Sequence, residues 1–143
     1  MHALYAQGRR HRPRKAEREM IYAITHGVNY FDTAYIYPGN EAALGKLFQK
    51  GWRSRVFLAT KIPHYKIRSL SDLERIFAEE LSRLRTDYIV LPHAHAPQRA
   101  DLAALCTLGV SDSLEQEKRE GVIRHIGFSF HGGTENFKAL IDT

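Results

Sequence analysis

VNYFDTAYIYPGNEAALGKLFQKGWRSRVFLATK, residues 28–61, carries the pattern on which the fold reading turns. An extended apolar run, Val28 to Asp32, ends in an acid. A Tyr-Pro-Gly turn follows at residues 37–39. Asn40 is placed to cap a helix whose Leu44, Leu47 and Phe48 fall on one face. Val56 to Lys61 then reads as a strand apolar enough to be covered on both faces. This is a strand–helix–strand unit, and units of that kind place their strands parallel.

The same alternation continues on both sides. Upstream, Lys15 to His26 reads as a helix with Met20, Ile21 and Ile24 on one face and Gly27 as its stop. Downstream, Ser71 and Glu74 have the spacing of a capping box opening a helix with Leu73, Ile76, Phe77, Leu81 and Leu84 inside. A third strand is expected from Tyr88 to about Leu91. A helix interrupted near Gly109 is expected over Leu102 to Glu120, a fourth strand over His125 to Phe130, and a last helix over Thr134 to Ile141. Strict alternation means a parallel α/β sheet. No G-x-G-x-x-G follows any strand, which argues against a dinucleotide-binding open sheet and for a barrel-type one.

Composition sets the outer limits. With 43% hydrophobic and 26% charged residues, the 143-residue chain can build a core. No apolar run reaches the ~20 residues of a membrane span, and a cytoplasmic location is the default. The single cysteine, Cys106, lies in an apolar run and is expected to be buried; it excludes an internal disulfide. The formal charge of +5 is concentrated near the start, where Arg9, Arg10, Arg12, Arg14, Lys15 and Arg18 face Glu17 alone. Residues 1–14 are therefore expected to be a disordered basic tail and 15–143 the domain. A tail of this kind could meet nucleic acid or anionic lipid, or serve as a transit peptide, but it shows no nucleic-acid motif, and a solvated extension is the reading preferred.

Ligands meet parallel α/β sheets at the C-terminal ends of the strands. Asp32 ends the first strand, with Tyr37 in the loop after it; Lys61 ends the second; His93 and His95 follow the third; Ser129 and Phe130 end the fourth. An acid, a phenol, an amine and an imidazole thus converge on one end. A phenol has an ordinary pKa of about 10 and is a poor acid at neutrality. A neighbouring ammonium favours its phenolate, a carboxylate keeps the ammonium charged, and an imidazole can orient a carbonyl oxygen. The set suits protonation of a carbonyl oxygen as hydride arrives from a nicotinamide. Taken singly, each residue also has an ordinary role: loop capping for Asp32, solvation for Lys61, packing for Tyr37. His93 and His95 lack a third ligand at metal spacing, and no metal site is expected.

Four stretches resemble the aldo-keto reductase family: HGVNYFDTAYIYPGNEAALGKLF at 26–48, FLATK at 57–61, LSRLRTDYI at 81–89 and GVIRHIGFSFHG at 121–132. The resemblance implies a partial (β/α)8 TIM-type barrel of about four parallel strands with flanking helices, and an NADPH- or NADH-dependent reduction of a small aldehyde or ketone. It implies Tyr37 as general acid, Lys61 as its activator, Asp32 as the support of Lys61, and His95 as the family's histidine, leaving His93 without a family role. For the cofactor it implies Ser129, with Asp32 alongside; Phe130 stands where many members have Asn. The family's opening strand is not legible in the basic tail, and Pro92 and His93 interrupt a strand that the family keeps apolar. The strands that bind the cofactor's pyrophosphate and adenine are also expected to be missing, so that the cofactor site is incomplete. Activity is then expected to require a complementing chain or self-association through the open edges at Val28–Asp32 and His125–Phe130. The alternative is an inactive family fragment or interaction module.

Overall fold

The computed structural model describes residues 13–95, 99–130 and 132–141. The basic tail expected at 1–14 lies almost wholly outside them. The elements run α1 (Pro13–Thr25), β1 (Tyr30–Asp32), α2 (Asn40–Leu47), β2 (Phe57–Ile62), α3 (Leu70–Leu84), β3 (Leu91–His95), α4 (Arg99–Thr107), α5 (Val110–Arg119), β4 (Gly127–Ser129) and α6 (Thr134–Ile141). The four strands form one parallel sheet in the order β1-β2-β3-β4. This is the partial barrel the alternation calls for: each crossover carries a helix, and all the strands run the same way.

Period-two alternation divides the sheet into two faces. Leu58, Thr60 and Ile62 turn toward the helices. Leu58 joins Ile24, Leu44, Leu47, Phe48, Phe77, Leu84 and Ile89 in one apolar cluster; Ile62 joins Ile67, Leu73, Ile76, Leu105 and Val110 in another. Full burial of side chains such as Leu58, Ile76 and Leu84 contributes roughly 2 kcal/mol each. Phe57, Ala59 and Lys61 belong to the opposite face, with Tyr30 in register beside Phe57 and Asp32 beside Ala59. Ala59 is buried, whereas Tyr30 and Phe57 are each 46% exposed.

Several boundaries depart from the sequence expectation. Asn40 does not cap α2: Gly39, at φ 76°, occupies that position with no side-chain bond, because the Tyr-Pro-Gly turn enters the helix through a left-handed residue. Ser71 does not cap α3 either. Ser69, in extended conformation, accepts from Asp72 N at 3.3 Å, and the Asp72 carboxylate accepts from Arg68 N at 3.2 Å. The cap is thus built two residues earlier than expected, with the Asp72 carboxylate reaching back to the residue before it. The third strand begins at Leu91 rather than Tyr88; Ile89 makes only an isolated bridge to Ile123. Pro92 is accommodated inside β3, in register with Thr60. Cys106 is exposed, not buried. Its neighbour Leu105 takes the inward position on α4, and one residue further turns the side chain by about 100°. Gly109, at φ 77°, separates α4 from α5, as the interrupted pattern there requires.

Two contacts hold the elements at fixed distances. Gly45 of α2 lies against the α3 C-terminus so closely that a Cβ there would sit 2.2 Å from the Arg83 carbonyl oxygen. Below the sheet, Arg53 donates to Thr86 Oγ1, Val56 O and Tyr88 O, each at 2.9 Å, and stacks 3.8 Å from the Tyr88 ring centroid. It staples the entrance of β2 to the segment leading into β3. Among the described residues, no helix is long and apolar enough to cross a membrane.

Candidate active site

The centre of the site is a lysine taken almost entirely out of water. The Lys61 side chain is 7% exposed and donates to Asp32 Oδ2 at 2.5 Å and to the Thr33 carbonyl at 2.9 Å. A buried ammonium without a carboxylate would cost several kcal/mol; here the carboxylate comes from the last residue of the neighbouring strand. Asp32 keeps 44% of its side chain in solvent, so this carboxylate is only partly desolvated. Two of the three ammonium hydrogens are accounted for by these bonds. The Tyr37 ring centroid lies 5.5 Å from Lys61 Nζ.

The backbone explains why these groups meet. Asp32 is in register with Ala59, so Lys61 extends two residues beyond it on the same face. Thr33 N donates to Ala59 O at 2.9 Å and Tyr35 N to Lys61 O at 3.1 Å. The chain leaving β1 therefore stays zipped to β2 for three more residues. It then turns, with Tyr37 N donating to Ala34 O at 3.0 Å, and enters α2. Tyr37 is held on the Lys61 side by this turn.

The other expected residues are placed by register. His93 is the β3 partner of Lys61, and His95 pairs with Ser129. The side chains of His93 and His95 lie outside the described residues. Ser129 is half-buried at the end of β4, with Phe130 beyond it. Asp32, Thr33, Tyr37 and Lys61 are thus brought together, while His95 and Ser129 are neighbours on the next two strands at the same end of the sheet.

On the helix-facing side of the same strand is a polar group that the sequence reading did not identify. Thr60, Glu41 and Glu80 are buried, at 0%, 2% and 0% exposure. Thr60 Oγ1 lies 2.9 Å from Glu41 Oε1 and 3.2 Å from Glu80 Oε1. Arg83 donates to Glu41 Oε2 at 3.2 Å and Glu79 Oε2 at 2.8 Å, and Glu79 Oε2 also accepts from the Tyr35 hydroxyl at 2.7 Å. Burial pushes the Glu80 carboxyl up to about 8, with the nearby Glu41 carboxylate adding to the effect. Burial also raises Glu41, against the bonds from Thr60 and Arg83. The signal was present in the helical period: Glu80 stands at the phase of Leu73, Ile76, Phe77 and Leu84, where an apolar residue is expected.

Comparison with known proteins agrees with this fold. A family model described as the aldo/keto reductase family matches residues 3–140, beginning inside the basic stretch. The chain is 35% identical over 111 residues to a methylglyoxal reductase of Salmonella typhi, covering 75% of this chain and 39% of that protein. It is 30% identical over 148 residues to the protein Tas of Escherichia coli, covering 80% and 43%. An aldo-keto reductase from Bacillus halodurans, solved in its holo form, superposes with a TM-score of 0.69 at 32% identity, covering 82% of this chain and 42% of that one. One from Klebsiella pneumoniae, solved in complex with NADPH, gives 0.71 at 28% identity, covering 92% and 44%. The chain spans less than half the length of each of these four proteins.

Proposed function

We propose that this chain, which belongs to the aldo/keto reductase family, supplies the acid–base half of an NAD(P)H-dependent reduction of a small aldehyde or ketone. The observation that carries the reading is the buried Lys61 ammonium, clamped by Asp32 and the Thr33 carbonyl beside the Tyr37 ring. Tyr37 is the general acid: its hydroxyl protonates the carbonyl oxygen of the substrate and is left as a phenolate, which water reprotonates. Lys61 lowers the cost of that phenolate by placing a positive charge next to it in a site of reduced dielectric. Asp32 and Thr33 O hold the ammonium in place before the reaction, so little reorganisation is needed during it. His95, beside Ser129 in register, is assigned to orienting the substrate carbonyl.

The nicotinamide cofactor, when bound, supplies the hydride. The donor chemistry at this end of the sheet fits its nicotinamide end, and we assign Ser129 to the carboxamide, with Asp32 alongside. Groups for the pyrophosphate and adenine are not identified among the described residues, and we assign them to strands supplied by a completed barrel. The working form is a completed barrel, in which strands of a full-length chain, of a second chain or of a second copy cover the open sheet. Tyr30 and Phe57, exposed side by side on the face that bears Lys61, support that reading. They also favour the alternative, an inactive member that serves only as an interaction module.

The test is NADPH oxidation with 4-nitrobenzaldehyde, run on the chain alone and with the C-terminal half of a relative, with sedimentation on the same samples. Turnover is expected only in the complemented sample, and Tyr37→Phe and Lys61→Met should each abolish most of it. Turnover insensitive to Tyr37→Phe would remove the catalytic assignment. Tyr37-dependent turnover by a monodisperse monomer would remove the requirement for a second chain. No turnover in any sample, with a complex seen in sedimentation, would select the interaction module.

A further inference from the structure

The acid cluster behind β2 takes no direct part in the reaction proposed above, and its hydrogen bonds close in only one way. Thr60 has a single hydroxyl proton, yet its oxygen is within bonding distance of a carboxyl oxygen of both Glu41 and Glu80. Glu41 has a cation, Arg83, on its other oxygen. Glu80 has none, and its Oε2 is buried without a partner. An ionised Glu80 would be an uncompensated charge with 0% exposure, next to a second carboxylate and competing with it for one proton. If Glu80 keeps its proton, it donates to the Thr60 oxygen, Thr60 donates to Glu41, and Glu41 remains an anion facing Arg83.

We infer that Glu80 is a neutral carboxylic acid heading a hydrogen-bond chain in which Glu80 donates to Thr60 and Thr60 donates to the Glu41 carboxylate, which also accepts from Arg83, and that this chain is the device that positions Lys61 and Tyr37. Thr60 immediately precedes Lys61 on β2 and faces the other way, so a bond that fixes Thr60 fixes where Lys61 emerges. Glu41 lies in the first turn of α2, four residues after Tyr37. The Thr60–Glu41 bond therefore ties the strand carrying the ammonium to the loop carrying the phenol, and Glu80 ties both to α3. A second link runs parallel to it: the Tyr35 hydroxyl bonds Glu79, and the Arg83 guanidinium lies 4.3 Å from the Tyr35 ring centroid.

The charged and titratable groups around Glu80 are Glu41 on α2, and Glu79 and Arg83 on α3, with Tyr35 behind Glu79. Among the described residues, Arg83 is the cation bonded to this cluster, and it is shared between Glu41 and Glu79; Arg75 pairs with the other oxygen of Glu79 and Lys66 lies over the Tyr35 ring, both beyond Glu80. Burial and Glu41 together place the Glu80 transition at about 8. Above it the first donor of the chain is gone and two anions face one hydroxyl. The α2–β2–α3 contact should then loosen, and Lys61 and Tyr37 should report it.

The positioning role rests on the reductase reading of Lys61 and Tyr37; the protonation state of Glu80 does not. The experiment is a titration of the full chain labelled with carboxyl-13C glutamate, 13Cε lysine and ring-labelled tyrosine, followed by NMR, with Glu80→Gln for assignment. The Glu80 carboxyl should keep its protonated shift through neutrality and move only on the alkaline side. The Lys61 and Tyr37 signals should show a transition at the same pH, and it should be absent in Glu80→Gln, which retains a neutral donor. Thr60→Val should displace the Lys61 and Tyr37 signals at neutral pH. A Glu80 signal titrating with the exposed glutamates would overturn the inference. So would Lys61 and Tyr37 signals that ignore both the Glu80 transition and Thr60→Val. Should either variant fail to fold, the titration of the parent chain decides alone. None of these readouts needs turnover, so their failure is distinct from failure of the reductase reading.

Discussion

Replacing Glu80 by Gln should change how stability depends on pH, and the size follows from burial. The Glu80 carboxyl is pushed from an ordinary 4.5 up to about 8 in the folded chain. Between those values the folded state holds a proton that the unfolded state has lost. Stability falls with rising pH wherever the folded state binds more protons. The contribution of this group is therefore fully present below about pH 4.5, declines across the window, and is exhausted above about pH 8. At about 1.4 kcal/mol per pH unit, the 4.5-to-8 interval amounts to on the order of 5 kcal/mol. That is comparable to the lower end of total domain stability, roughly 5–15 kcal/mol. Gln keeps the shape and a donor but does not titrate. Parent and variant share every other ionisable group, including the depressed Asp72 and Glu79 and the raised Glu41 and Glu117. The parent-minus-variant difference isolates Glu80. Urea denaturation monitored by the lone tryptophan, Trp52, at several values between pH 4.5 and 9 measures it. The difference should shift against the parent by a few kcal/mol as pH rises. A difference curve flat to within about 1 kcal/mol, or one rising with pH, would refute the reasoning.

Three further outcomes are expected. Gly45→Ala should destabilise the chain by about 2 kcal/mol, although Ala favours a helix by about 1, because its Cβ would meet the Arg83 carbonyl and push α2 from α3; an unchanged urea midpoint would contradict this packing. Arg53→Met should cost about 3 kcal/mol, since three acceptors lose a charged donor and Tyr88 loses its stacked cation; the same denaturation assay reads it. Cys106 is exposed, so Ellman's reagent should modify one thiol per folded chain without denaturant, and protection until unfolding would show that α4 packs the other way round.

Much of this protein is readable one residue at a time. The parallel sheet follows from strands and helices alternating along the chain, a local signal, because apolar spacing of two or near 3.6 reflects which backbone each segment adopts. That Asp32, Lys61, His95 and Ser129 share one end of the sheet follows as well, since parallel strands deliver their C-termini together. Details that depend on one turn or one neighbour were not legible. Ser69 rather than Ser71 caps α3, and Gly39 rather than Asn40 precedes α2, because caps are chosen by backbone geometry that several nearby residues could satisfy. Cys106 sits on the outside of a helix whose inward phase is set by Leu105. The buried acid chain lay furthest from view. Glu80 stands at an apolar phase, but only the packing of α3 over β2 brings it to Thr60 and Glu41. Whether a carboxyl is charged depends on the solvent and partners around it, and those are assembled from residues as much as 42 positions apart. Sequence by itself determined the sheet and the end at which its chemistry gathers; the tertiary structure alone decided which side chains there are dry, which are paired, and therefore where their protons reside.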